Sequence, residues 1–85
     1  LPSYKSNVDF FAVLRGLIEH WCDRRCLKAL LHVLPGYLSF NGMTDGWSEL
    51  RNALVQVRAF ARDEITGDEL EAVSDLIAAV DRLLA

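Results

Sequence analysis

Two cysteines, two prolines and five glycines are all that the 85 residues hold of these types. A pair of cysteines cannot staple a disulfide scaffold, which excludes the small secreted folds built on such bridges. With so little proline and glycine, no serine-rich stretch and no internal repeat, there is no linker at which to divide the chain, and a single helical domain over 1–85 is expected. Long hydrophobic runs are missing too, so no segment reads as bilayer-spanning. No basic-then-apolar leader announces secretion, and a cytoplasmic protein of bacterial type is expected. Positive charge is scarce: nine Lys and Arg stand against twelve Asp and Glu, a net charge of −3. An acidic chain repels a polyanion, and the stretch from Pro35 to Asp45 reads as too long for the turn of a helix-turn-helix, so nucleic acid is not an expected partner.

What the chain does have is hydrophobic residues, 52% of the total against 25% charged. That is a folding composition. The apolar residues recur with the period of a helix in four segments, and none alternates as a strand does. Near the N-terminus Phe10, Leu14, Leu17, Ile18 and Trp21 line one side, widened by Phe11 and Val13, with Ser6 or Asn7 as cap. A second segment carries Leu27, Leu30, Leu31, Leu34 and Leu38 on its stripe, opens after a cap at Asp23, and is expected to stop near Leu34, where Pro35 withdraws an amide. The third opens at Thr44 or Asp45 and aligns Trp47, Leu50, Leu54, Val57 and Ala61, with Ala53 and Phe60 beside them. In the fourth, Thr66 and Glu69 form a capping box ahead of Leu70, Val73, Ile77, Val80 and Leu84, with Leu76 and Leu83 widening the stripe. The expected fold is all-α, a compact antiparallel four-helix bundle with helices at about 7–21, 24–34, 45–63 and 67–84.

Motifs for chemistry are thin. His20, Cys22, Cys26 and His32 supply ligand types that zinc accepts, but their spacing matches no zinc signature, and metal is kept only as the alternative. There is no glycine-rich phosphate cradle, nucleophile elbow or paired-histidine metal motif, so neither an enzyme nor a cofactor is expected.

Contact chemistry is better represented. Between Pro35 and Trp47 the glycines and asparagine of a loop are mixed with Tyr37, Phe40, Met43 and Trp47, residue types that interfaces favour. Such a loop either seals one end of the bundle or meets another protein. Arg51, Arg58 and Arg62 fall close together beside the third stripe and would form a polar rim. The charge is also lopsided, +3 through Arg62 and −6 beyond it, so basic and acidic helices are expected to pair across the bundle. The functional expectation is a protein–protein contact module whose partner is a second copy or a different protein, with a homodimer as the commonest symmetric solution.

Overall fold

The computed structural model describes residues 7–40 and 44–84, in which four helices follow one another: α1 (Asn7–Asp23), α2 (Leu27–Leu38), α3 (Thr44–Phe60) and α4 (Gly67–Leu84). No strand occurs among the described residues. The helices run up and down as an antiparallel bundle of 31 × 26 × 20 Å, and α2 packs most extensively on α3.

Three of the four apolar stripes supply the core, although Val13, Phe60, Leu83 and Leu84, expected on or beside them, stay exposed. From α1, Phe10, Leu14, Leu17, Ile18 and Trp21 are buried; from α3, Trp47, Leu50, Leu54 and Val57, with Ala61 just past its end; from α4, Val73, Leu76, Ile77 and Val80. Trp21, Leu14, Leu50, Leu54, Val57, Val73, Leu76 and Val80 are wholly enclosed together with Val33 of α2, so the centre of the bundle is close-packed.

The boundaries differ from expectation in α2 and α3. Asp23 does not cap α2. It ends α1, and Arg25 takes the left-handed conformation at φ 57°, which closes the turn with Cys26 N–H donating to the Trp21 carbonyl at 2.8 Å. Cys26 then stands before the first turn of α2 without making a side-chain cap. A carboxylate from far along the chain does that work instead: Glu64 Oε1 accepts from the amides of Lys28 (2.8 Å) and Ala29 (3.1 Å).

At its other end α2 runs through Pro35 to Leu38 rather than stopping at Leu34. The amide that Pro35 lacks would have bonded the Leu31 carbonyl, and both residues are exposed, so water can take the vacant acceptor. Ser39 closes the helix, its amide and its hydroxyl both donating to the Pro35 carbonyl (3.2 and 2.7 Å). The continuation is held by packing against α3. Gly36 is buried, and a Cβ built on it would stand 2.8 Å from Ala53 Cβ, 3.2 Å from the Glu49 carbonyl oxygen and 3.3 Å from Leu50 Cα. Only glycine lets the two backbones come so near. The interval between α2 and α3 therefore spans only 39–43, close to the length of a helix-turn-helix turn, and the acidic balance alone now weighs against nucleic acid. At the far end α3 stops at Phe60 rather than Asp63, and the Glu64 amide turns back onto the Ala61 carbonyl at 3.0 Å.

Candidate contact surface

The early end of α1, the late end of α2 and the start of α3 meet in an aromatic cluster. Phe40 packs edge-on against Trp47 with ring centroids 4.7 Å apart, and Phe11 lies 4.9 Å from Phe40, 5.7 Å from Trp47 and 6.4 Å from Tyr37. Phe10 reaches Trp47 from the core side at 5.4 Å. Trp47 is thus a core residue, 7% exposed, and Tyr37 and Phe40 are half-buried against it. Of the two readings of this loop, the sealing of one bundle end accounts for the placement of these three rings. Met43 lies outside the described residues.

The arginines separate. Arg51 forms an ion pair with Asp81 of α4, which holds the guanidinium's pKa above its ordinary value, first through the hydrogen bond and then through the carboxylate charge. Arg58 and Arg62 do come together, lining with Val55, Ala59, Leu70 and Ser74 an open groove of about 310 Å³ between α3 and α4.

The metal-ligand candidates do not converge. The turn at Arg25 breaks the helical face that Cys22 and Cys26 would have shared, leaving Cys22 exposed and Cys26 buried. His20 is exposed, and His32 sits 3.2 Å from Gln56 Oε1 with its ring 5.5 Å from that of Phe60. Among the described residues no three His, Cys, Asp or Glu side chains are placed to hold a metal ion.

Cys26 belongs instead to a clamp between the two interhelical turns at one end of the bundle. Arg24 grips both carboxylate oxygens of Glu69 (2.5 and 2.8 Å) and also donates to the Glu64 carbonyl (3.1 Å) and to Cys26 Sγ (3.4 Å). Glu69 at the same time closes the expected capping box, accepting from the Thr66 amide at 3.0 Å while its own amide donates to the Thr66 hydroxyl at 3.1 Å. The Arg24 hydrogen bonds hold the Glu69 carboxyl down at about 2, against the desolvation that would raise it. The Trp21 indole N–H is buried without a hydrogen bond of ordinary geometry, yet it adds to the field that keeps Glu69 ionised. Beside the clamp, Lys28 pairs with Asp63 at 2.8 Å.

The largest departure from the sequence expectation is the orientation of α2. At about 100° per residue Leu27, Leu31, Leu34 and Leu38 share an arc of about 60°, while Ala29, Val33 and Gly36 lie about 180–240° from Leu27. It is the small-residue side that faces the bundle: Ala29 and Val33 are completely buried, and Gly36 is buried with them. The leucine side faces out. Leu27, Leu31 and Leu38 are 69%, 70% and 73% exposed, and only Leu30 and Leu34 pack part of their surface on the core. The physical reason is the close crossing at Gly36 and Ala53, which small side chains permit and leucines would prevent. Phe60, 63% exposed, flanks the leucine face beyond His32. Next to it an open groove of about 450 Å³ runs between α2 and α3, with Leu31 and Pro35 on one lip and Glu49, Asn52 and Gln56 on the other.

Sequence reasoning found the leucine stripe but assigned it to the core. One signal would have corrected it. Within Leu27–Leu38 the only polar side chains are Lys28, His32 and Tyr37, so the helix is apolar on both sides, and such a helix wants cover on both.

No family model, curated protein or solved structure matches this chain.

Proposed function

We propose that the chain is a protein-contact module whose binding surface is the outward leucine face of α2. The observation that carries this reading is the exposure of Leu27, Leu31 and Leu38, each about 70% open to solvent, in one line along a single helix. Burying a leucine is worth roughly 1.5–3 kcal/mol, so three in a row represent a binding energy that the isolated chain leaves unused. Scattered exposed leucines need no explanation, whereas a row at coiled-coil spacing has the form of an interface. The other features play supporting parts: the aromatic cluster and the Arg24–Glu69 clamp fix the two ends of the bundle, and the Gly36 crossing turns the leucines outward. A reducing cytoplasm fits this reading, since the exposed Cys22 is a free thiol. No helix among the described residues is long and apolar enough to cross a membrane.

Photo-crosslinking tests the reading. A benzoylphenylalanine at position 31, irradiated in the cell of origin, is expected to give discrete protein adducts, and the same probe at Glu71 or Arg15 to give none. Adducts at position 31 no stronger than at Glu71 would overturn it.

A further inference from the structure

We infer that the occupant of the leucine face is a second copy of the chain, with the two α2 helices packed antiparallel about a twofold axis. This deepens the contact reading above and rests on it. The first support is the spacing of the seam. Leu27, Leu31, Leu34 and Leu38 step by four, three and four residues, the a/d pattern of a coiled coil, and that series is the same read from either end. When the helices are antiparallel, a single register sets Leu27 opposite Leu38 of the second copy and Leu31 opposite the open edge of that copy's Leu34, which is half-buried on its own core, with both pairs repeated by symmetry. A self-complementary patch is what a twofold interface requires.

Charge provides the second support. In that register Glu49, beside Ser39 at the late end of α2 (3.3 Å), comes level with residues 26–29 of the second copy and on the same flank. There it meets the exposed Arg25, Lys28 being already paired with Asp63, and the two helix dipoles oppose favourably. Parallel pairing would align the two helix dipoles and set Arg25 of one copy beside Arg25 of the other.

Area is the third. Leu27, Leu31, Leu38 and the flanking Phe60 expose 63–73% of their surfaces, roughly 500 Å² per copy and on the order of 1,000 Å² for the pair, where specific interfaces begin. An interface at this lower limit predicts a dimer that dissociates on dilution.

Two measurements on the purified chain test the inference. Light scattering behind size exclusion is expected to show a mass rising from 9.6 kDa toward twice that value as concentration increases. In a Cys22→Ser background, Leu27→Cys mixed with Leu38→Cys is expected to oxidise to the mixed disulfide at least tenfold in excess over either like pair. A dimer that instead gives Leu27→Cys linked to itself is parallel and overturns the register. A mass of 9.6 kDa at every concentration, with no cross-link, overturns the second copy as occupant. If position 31 still gives adducts in the cell in that case, the contact surface stands with a different protein on it; if it gives none, the contact reading falls as well.

Discussion

Gly36→Val is expected to cost about 3 kcal/mol or more of folding stability, read as a lower urea midpoint, because it forces apart the two helices that share the most extensive contact in the bundle. The first atom added is already too near. A Cβ at position 36 meets Ala53 Cβ at 2.8 Å and, behind it, the Glu49 carbonyl and Leu50 Cα at 3.2 and 3.3 Å. Two of those three are backbone and cannot rotate away. Gly36→Ala carries the same clash but gains close to 1 kcal/mol of helix propensity, so its cost is smaller, about 1–2 kcal/mol. Ala53→Gly removes the nearest obstacle and should recover part of the loss when combined with Gly36→Ala, a coupling that distant sites would not show. A Gly36→Val protein as stable as the parent would mean that α2 does not cross α3 at this point.

Glu69→Gln is expected to lower stability by about 2 kcal/mol at neutral pH, a fall of roughly 8–16 °C in Tm for a domain of this size. The carboxylate is 9% exposed and its partner Arg24 is 40% exposed, so the guanidinium left behind regains water, and the cost stays below that of breaking a fully buried pair. Glutamine still accepts from the Thr66 amide, and the backbone amide of residue 69 still donates to the Thr66 hydroxyl, so the capping box is kept. The pH dependence distinguishes the charge from the shape. In the folded protein Glu69 titrates at about 2 rather than the ordinary 4.5, so its contribution is complete above about 4.5 and is lost as pH falls toward 2. Acid titration of the parent should therefore show a loss of stability in that window that Glu69→Gln has already taken at neutral pH. Equal acid sensitivity of the two proteins would place the ionised Glu69 outside the folding balance.

The number of helices, their approximate spans and three of the four core faces were legible in the sequence because periodicity is a local property. Thr66 and Glu69 likewise announced the start of α4, since a capping box is satisfied within one turn. What could not be read locally was set by partners distant in the chain. The cap of α2 comes from Glu64, 36 residues after Lys28, and no rule of sequence spacing joins them. Pro35 reads as a stop until Gly36 is seen against Ala53, where packing on α3 outweighs one missing amide. The same contact decides which side of α2 faces inward. A stripe of leucines normally marks the core, and here close approach favoured Ala29, Val33 and Gly36, so the leucines were left outside. The aromatic loop leaves two readings open in the sequence because residue types that favour interfaces also favour the sealed end of a small core, and the positions of Phe10 and Phe11 favour the seal.

The most direct test of this account compares Leu31→Ala with Val33→Ala, two residues apart on α2, by urea unfolding at a concentration where the chain is monomeric. The orientation of α2 predicts that Leu31→Ala changes stability by less than about 0.5 kcal/mol, whereas Val33→Ala, emptying a wholly enclosed site, costs about 2 kcal/mol. The reverse order, a large loss at Leu31 and little at Val33, would mean that the leucines face the core and that the proposed contact surface does not exist.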